Sequence, residues 1–248
     1  MEEDGETGLP ASIEAAWGLR ERPHKGPKRE LSLDRIVKAG IRLADSEGLA
    51  AVSMSRVAAA VGASTMALYR YVAAKDELLE LMLDSAHGLP PPPEPGEGWR
   101  PGLARWAWAE LAVYRLHPWG LSVPISGPPV MPNALSWVES GLQSMRSTGL
   151  SEGEKMSVIL LLTGYVRNAA LVAVQVDAAF LAAAPSGQDA MSAYTRLLRR
   201  LIDPYRFPGL TAVLASGVLD ATDEWDDEFT FGLDRVLDGI GALVTARA

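Results

Sequence analysis

Apolar residues recur along this chain at steps of three and four, the spacing that places side chains on one face of an α-helix. The segment LDRIVKAGIRLADSEG is a clear early example, and Gly48 supplies a natural C-terminal stop for it. Its apolar positions are Leu33, Ile36, Val37, Gly40, Ile41 and Ala44. We find no apolar–polar alternation sustained over several segments and no internal repeat. The pattern therefore predicts an all-α protein.

Helix caps and helix breakers divide this pattern into separate helices. Ser53, Ser64 and Asn133 are residue types that cap helix N-termini, and Ser151 with Glu154 forms an S-x-x-E capping box. A short helix is expected within 11–22, and a bend is expected near Gly164 in the longest helix. The other predicted spans are about 33–47, 53–61, 64–71, 75–89, 99–117, 133–148, 152–183, 188–202, 207–216 and 227–246.

Breaks in composition predict the domain organisation. Residues 1–30 are polar, interrupted by Pro and Gly, and basic at their end, so we interpret them as a flexible basic arm. Residues 31–89 form a first helical module. The run PPPPEPGEG at 90–98 cannot continue a helix, which makes it a stiff linker. Residues 99–248 form a second, larger helical module.

The composition excludes several kinds of chemistry. The 248 residues include no cysteine, so a disulfide framework, a thiol nucleophile and cysteine-ligated metals are excluded. The three histidines lie far apart in sequence, and we predict no catalytic site, no metal site and no cofactor. The acidic start, MEEDGETG, is unlike a signal peptide, which places the protein in the cytoplasm.

One apolar stretch, residues 158–176, is about as long as a membrane span. Arg167 and Asn168 occupy its middle, where a charge is costly in lipid. We therefore interpret this stretch as a long helix buried inside the protein, and we predict no membrane contact.

Charge is distributed unevenly along the chain. The net charge is −8, yet residues 20–75 contain eleven Lys and Arg against five acids, so that segment is basic and the remainder is strongly acidic. A basic module joined to an acidic body suggests that only the first part meets a polyanion.

The segment from Ser53 to Tyr71 identifies that polyanion. Two short helices joined by a turn containing Gly62 form a helix-turn-helix, a unit whose second helix enters the major groove of DNA. Tyrosine and arginine suit such a helix, since each joins an apolar body to a polar tip that can reach a phosphate or a base edge.

The run from Leu33 to Leu83 resembles the DNA-binding domain of the TetR family of bacterial transcriptional regulators. The family signature G-x-S-x-x-x-L-Y-x-[YHF]-[VF]-x-x-K-x-x-L is met here by Gly62, Ser64, Leu68, Tyr69, Tyr71, Val72, Lys75 and Leu78. HPW at 117–119, PNAL at 132–135 and the stretch 149–170 are similar, more loosely, to the C-terminal domain of that family. The resemblance implies a helix-turn-helix domain at 31–89 and a helical ligand-binding and dimerisation domain at 99–248.

The resemblance also implies roles for single residues. The positions expected to contact bases are Thr65, Met66, Ala67, Tyr69 and Arg70. The positions expected to contact phosphates are Ser53, Ser55, Ser64, Tyr71, Lys75, Lys28 and Arg29. Alternatives stay open, because Tyr71 could instead pack in the core, Ser53 and Ser64 could be caps only, and the arm could either reach the minor groove or be a disordered tail.

The second module contains most of the tryptophans and, by the resemblance, a site for a small-molecule effector. The expected pocket residues are Trp106, Tyr114, His117, Trp137, Met145, Tyr165 and Asn168. Arg167 and Gln175 are further polar residues within apolar stretches. The resemblance also implies a homodimer, paired through the helix from Glu152 and the last helix, Phe229 to Val244.

These patterns favour a regulator without enzymatic activity that binds a palindromic double-stranded operator and is released by a small-molecule effector. A second hypothesis is an all-helical enzyme or binding protein that uses the helix-turn-helix as scaffold. A third is an activator or a ligand-independent regulator. The missing catalytic cluster and the uneven charge favour the first hypothesis.

Overall fold

The computed structural model describes residues 11–19, 31–125, 127–183, 190–220 and 225–247. Within these ranges the chain forms helices and connecting turns without a β-strand, and the all-α prediction is confirmed. Short 3-10 helices cover Leu49–Ala51, Pro118–Ser122 and Val218–Asp220. The α-helices are α1 (Ala11–Ala16), α2 (Leu33–Glu47), α3 (Met54–Ala60), α4 (Thr65–Leu68), α5 (Lys75–His87), α6 (Trp99–Leu116), α7 (Pro132–Ser144), α8 (Glu152–Ala183), α9 (Ala190–Leu201), α10 (Pro208–Ser216) and α11 (Trp225–Arg247).

The chain divides into two compact units, and the division does not fall at the proline run. The first unit comprises Met1–Arg167 with Ile240–Ala248, and the second comprises Asn168–Gly239. The core of the first unit joins side chains of α2–α5 to Trp119, Val123 and Met131, which follow the prolines in sequence. The predicted linker at 90–98 therefore does not separate two independent cores, because helices on both of its sides share one.

The core of the first unit depends on a close approach of α2 and α5. Ile36, Leu78 and Met82 are fully buried there. A Cβ atom at Gly40 would lie 2.6 Å from Sδ of Met82, so a larger residue at this position would require the Met82 side chain to shift. Ile13 and Ala16 of α1 also pack on this core, which means that part of the predicted arm is a docked helix.

The N-terminus of α7 is capped differently from the prediction. Asn133 was expected to be the cap, but α7 begins at Pro132 and the capping position is Met131, whose side chain makes no capping bond. Instead, Asp84 of α5 accepts the backbone N–H of Ala134 at 2.8 Å, and the Asn133 amide donates to the Asp84 carbonyl at 3.0 Å. A carboxylate from another helix thus replaces the local cap and ties α5 to α7.

The long helix α8 is confirmed, and one of its faces is buried in this chain, with Ile159, Leu162 and Val166 at 5% exposed or less. Leu160 is 75% exposed and Leu161 is 53% exposed. By length and composition, α8 is the one helix in the described part of the chain that could cross a membrane. Arg167, in its middle, donates hydrogen bonds to the carbonyls of Leu121 and Val123 at 2.7 and 3.3 Å, as expected of a helix packed on protein.

The second unit contains the C-terminal half of α8, the helices α9 and α10, and the N-terminal part of α11. Thr195 is buried and its hydroxyl donates to the Leu219 carbonyl at 3.4 Å. Phe229, Leu233 and Leu237 follow one another at helical spacing on α11 and are buried within the chain. This stripe, which was expected at a dimer interface, is therefore already covered in a single chain.

Candidate DNA interface and ligand site

The helix-turn-helix is built by two serine caps and one glycine turn. The Ser53 hydroxyl accepts the N–H of Arg56 at 3.3 Å, and the Ser64 hydroxyl accepts the N–H of Ala67 at 3.2 Å. Gly62 lies between the two helices at φ 72°, a left-handed conformation that favours glycine. These bonds start α3 and α4 at the predicted residues.

One face of helix α4 packs on the core, and the opposite face is exposed to solvent. Leu68 is fully buried and Val72 nearly so, which anchors the segment in the core. The helix ends at Leu68 and continues as a turn to Tyr71, so it is shorter than predicted. Of the expected base-contact residues, Met66, Tyr69 and Arg70 are exposed, whereas Thr65 and Ala67 are partly exposed.

The expected phosphate-contact residues fall into three groups. Ser55 and Lys75 are exposed at the first turns of α3 and α5, while Ser53 and Ser64 act as caps. Tyr71 is half-buried and donates its hydroxyl hydrogen to the Leu31 carbonyl at 3.0 Å. Lys28 and Arg29 lie outside the described residues. Packing at Tyr71 and capping at the two serines are thus present, and any phosphate contact there would be an additional role.

The positive charge of the first module is partly compensated. Arg56 donates to both carboxylate oxygens of Glu47, at 2.7 and 2.8 Å. Lys38 pairs with Asp34 at 2.9 Å. The five basic residues between 20 and 29 lie outside the described residues. Arg70 and Lys75, which flank the end of α4 and are both exposed, are therefore well placed to meet a phosphate backbone.

A second candidate site lies on the buried face of α6. Trp106, Glu110 and Tyr114 follow one another four residues apart and are all buried. Ring edges connect this face to neighbouring helices: His87 of α5 lies 5.4 Å from Tyr114 and 6.4 Å from Trp137 of α7, and Trp137 lies 5.7 Å from Trp106 between ring centroids. We call these five residues, together with Arg167, the aromatic cluster.

Glu110 is the unusual member of the aromatic cluster. Its side chain is buried, and its Oε2 atom has no hydrogen-bond partner among the described residues. Burial raises the pKa of its carboxyl to about 8, against a smaller opposing effect of the positive charge on Arg167. A carboxyl with this pKa keeps its proton at neutral pH, and its Oε2 atom can still form a hydrogen bond with a further group.

Two further groups of the aromatic cluster have shifted ionisation. Burial lowers the pKa of His87, whose Nδ1 atom lies 3.0 Å from the Leu83 carbonyl, so its ring is favoured in the neutral form. Burial and the negative charge of Glu110 raise the pKa of Tyr114, and a hydrogen bond with Arg167 opposes this shift. The guanidinium of Arg167 lies 5.9 Å from the Tyr114 ring centroid.

The expected pocket residues are only partly brought together. Trp106, Tyr114 and Trp137 lie in the aromatic cluster, Met145 is fully buried, and Tyr165 is half-buried. His117 lies near enough for its charge to lower the pKa of His87, but its Nδ1 is bonded to Asp45, and Asn168 is exposed. Sequence reasoning missed His87 and Glu110. Glu110 could have been found, because it lies one helical turn from both Trp106 and Tyr114 on an apolar face.

Asp45 of α2 contacts His117 and Trp119, at the start of the 3-10 helix Pro118–Ser122, and so joins the two helices. Oδ1 of Asp45 accepts the indole N–H of Trp119 at 2.6 Å and lies 2.8 Å from Nδ1 of His117. Arg167 holds the other end of the 3-10 helix through the carbonyls of Leu121 and Val123. This segment, the Asp45 junction, therefore links α2 to a member of the aromatic cluster.

A surface groove of about 720 Å³ lies elsewhere, between Pro90–Pro93, Trp17 and one side of α7. It contains none of the expected pocket residues and no buried charged side chain. The aromatic cluster is the better candidate for specific recognition, since small-molecule sites combine apolar walls with a few convergent polar groups. In the described part of the chain no group of three acidic or histidine side chains could hold a metal ion.

An exposed recognition helix on a helix-turn-helix, joined to a helical body with a buried aromatic and polar cluster, defines a class of DNA-binding regulator. Comparison with known proteins agrees with this class. The family model described as bacterial regulatory proteins, tetR family, matches residues 36–82, and the model described as Tetracyclin repressor-like, C-terminal domain, matches residues 92–244. The chain therefore belongs to the TetR family, and it is a helix-turn-helix transcriptional regulator.

Individual relatives extend this result. The chain is 38% identical over 250 residues to the HTH-type transcriptional repressor DrrR1 of Streptomyces coeruleorubidus, covering 99% of this chain and 90% of that protein. It is similar in structure to ActR of Streptomyces coelicolor bound to actinorhodin, with a TM-score of 0.73 and 25% identity over 86% of this chain and 98% of that one. ActR bound to (S)-DNPA gives a TM-score of 0.70 at 25% identity, covering 88% and 99%.

Proposed function

We propose that this protein is a cytoplasmic, dimeric transcriptional repressor without enzymatic activity. Residues 31–89 bind a palindromic operator, and residues 99–248 bind a small-molecule effector that releases the DNA. Membership of the TetR family and 38% identity to a protein named a transcriptional repressor support this function. The remaining support comes from the two sites described above.

The exposed face of α4 is the observation that carries the proposal. Leu68 and Val72 fix the segment in the core, so the side chains above them are presented in a fixed register. Thr65 and Tyr69 can donate to base edges, and Met66 and Ala67 can contact thymine methyl groups. Arg70 can serve either a base or a phosphate. Ser55 and Lys75 are exposed on either side of α4 in sequence and can contact phosphates.

Exposed leucines on α8 support the dimer. Leu160 and Leu161 form an apolar surface that a monomer would leave in water. Two-fold pairing through such a surface would present two copies of α4 to the two halves of a palindrome, about one DNA turn apart.

The aromatic cluster supports the effector. It brings four aromatic rings together with one buried carboxyl oxygen that has no hydrogen-bond partner among the described residues. The similar protein ActR has been solved with actinorhodin and with (S)-DNPA, which shows that a related helical body can hold an organic ligand.

Helix α5 is our candidate for the coupling between the two sites. It begins at Lys75, directly after the turn that follows α4, and ends at His87 in the aromatic cluster. A ligand that moves His87 would move α5, and α5 would in turn move α4. If the ligand favours a position of α4 that does not fit DNA, it weakens DNA binding by the coupling free energy, typically about 1–3 kcal/mol. A disulfide that locks α5 to α2 without changing the effector response would contradict this role.

Selection of binding sites from random duplex DNA at about physiological salt tests the function. We expect a palindromic sequence whose half-sites lie about one helical turn apart. Thr65→Ala or Tyr69→Ala should lower affinity for that site while leaving weak, salt-sensitive binding to other DNA in place.

Tyr205→Ala is the matched control, because Tyr205 is 98% exposed and lies outside the helix-turn-helix. This variant should select the same site with the same affinity as the unchanged protein. Enrichment of no sequence, or equal loss of affinity in Tyr69→Ala and Tyr205→Ala, would contradict recognition through α4.

A further inference from the structure

The Oε2 atom of Glu110, which has no hydrogen-bond partner among the described residues, indicates the chemical class of the ligand. We propose that the effector carries a protonated amine that donates a hydrogen bond to Oε2 of Glu110, with its apolar body among the rings of the aromatic cluster. This inference rests on the proposed function, since it names the chemical class of the effector bound by the helical body.

A buried carboxyl oxygen without a partner is costly, because burial removes it from water and nothing replaces the lost hydrogen bonds. The nearest cation does not satisfy it. Arg167 directs its Nη2 atom to the carbonyls of Leu121 and Val123 and also hydrogen-bonds Tyr114. Among the described residues, Glu110 forms no ion pair. A donor on a ligand would supply the missing bond.

A cationic donor fits this site better than a neutral one. A charge-assisted hydrogen bond to a carboxylate is roughly twice as strong as a neutral bond, and low polarity strengthens it further. The faces of Trp106 and Trp137 can also attract a cation. An anionic ligand group at the same position would be repelled by an ionised Glu110.

Arg167 limits where the amine can lie. Its guanidinium is next to Tyr114, one helical turn after Glu110, and would repel a second cation on that side. Trp106 lies one turn before Glu110, and no Arg or Lys of the described residues lies over its ring. The amine should therefore approach Glu110 from the Trp106 side, and the ligand body should extend toward Trp137.

Proton linkage follows from the same arrangement. The pKa of Glu110 is raised to about 8 without ligand, so the carboxyl must lose its proton before it can pair with a cation. The ionisable groups that interact with it electrostatically are Arg167 of α8 and Tyr114 of its own helix. Affinity for an amine should rise with pH, by up to about tenfold per unit below pH 8, whereas affinity for a neutral analogue should not.

Three matched naphthalene probes test the proposal by isothermal titration calorimetry on the full chain: 1-naphthylmethylamine, 1-naphthylmethanol and 1-naphthoate. At pH 8 we expect the amine to bind roughly tenfold or more tightly than the alcohol, and the naphthoate to bind least. In Glu110→Gln, which keeps the shape of the side chain, the preference for the amine should fall to about one.

Glu228→Gln is the matched control, because it removes the same charge from an exposed position in the first turn of α11. It should keep the preference of the unchanged protein for the amine.

A second measurement uses only the unchanged protein, so it tests the proposal even if Glu110→Gln does not fold. Titrations near pH 7 in two buffers with different ionisation enthalpies should show release of about one proton per bound amine and none per bound alcohol.

The failures are distinguishable. If amine, alcohol and acid bind equally, if the acid binds best, or if Glu110→Gln keeps the amine preference, the proposed role of Glu110 is wrong while the small-molecule site stands. If none of the three probes binds to any variant, the result contradicts this inference and also counts against an effector site in the aromatic cluster.

Discussion

Glu110 makes the stability of the fold depend on pH. Its carboxyl has an ordinary pKa of 4.5 when unfolded and about 8 when buried, so between these values the folded chain binds more protons than the unfolded chain. The free energy of unfolding therefore falls as pH rises through this window. The fall reaches on the order of 1 kcal/mol per pH unit for one such group.

We expect Glu110→Gln to remove this contribution, because the amide does not titrate. The variant should gain stability relative to the unchanged protein as pH rises from 5.5 to 8, measured by urea unfolding at several pH values. The difference between the two proteins isolates Glu110 from His87 and Asp84, whose pKa values are also shifted by burial. A difference that does not change with pH would contradict the assignment.

Leu68 and Met66 separate the structural and exposed sides of α4. Leu68→Ala should lower the free energy of unfolding by about 2–5 kcal/mol, because it removes a fully buried side chain from the core. Met66→Ala, at a position 74% exposed, should change stability by about 0.5 kcal/mol or less. Thermal unfolding checks both, and a similar loss in the two variants would mean that α4 is not anchored through Leu68.

At the scale of the element, local rules predicted most helix starts correctly. Ser53, Ser64 and the Ser151–Glu154 box cap the expected helices because each bond joins residues only three apart. The cap of α7 could not be predicted in this way. Its partner, Asp84, lies 50 residues away from Ala134 in sequence, so the bond exists only after α5 and α7 have packed.

The Asp45 junction makes a prediction at the same scale. Asp45→Ala removes the acceptor of the buried Trp119 indole N–H, so we expect a loss of about 1–2 kcal/mol in the free energy of unfolding. Asp238→Ala is the control, since its ion pair with Arg235 is exposed and should contribute about 0.5 kcal/mol or less. Urea unfolding distinguishes the two, and equal losses would show that the junction contributes little.

The same junction explains why His117 could not be placed from sequence. From sequence, a histidine that follows an apolar helix could equally line a pocket or contact another helix. Only the packing of α2 brings Oδ1 of Asp45 to 2.8 Å from Nδ1 of His117. The helix-turn-helix was predictable because its chemistry is contiguous in sequence. The aromatic cluster was only partly predictable because it collects residues from α5, α6, α7 and α8.

At the scale of the whole molecule, the sequence could not separate core from interface on α8. Its apolar residues predict burial, yet Leu160 and Leu161 are exposed in the single chain. Apolar periodicity reports that a face is covered by protein, and it does not tell which chain covers it. This ambiguity is the reason that the sequence alone did not distinguish the buried face of α8 from its exposed face.

Leu160→Glu tests whether a second copy covers that surface. We expect the unchanged protein to have twice the mass of one chain by light scattering after gel filtration, and Leu160→Glu to shift toward the monomer, because an unpaired charge at a packed interface is costly. Affinity for the palindromic operator should fall with it.

Leu116→Glu is the matched control, since Leu116 is 70% exposed at the end of α6 and outside the expected interface. It should keep the mass of the unchanged protein. The dimer assignment to α8 would be wrong if Leu160→Glu also kept that mass.

The pairing of Trp106 with Trp137 has an optical consequence. The two indole rings lie 5.7 Å apart at 73°, and the Trp106 N–H is fixed on the Trp137 carbonyl at 2.9 Å. Two identical chromophores held this closely and askew share their excited states, which splits an ultraviolet circular-dichroism band into two lobes of opposite sign. A compound that separates the two rings on binding would remove the splitting, so circular dichroism can detect ligand binding without a label.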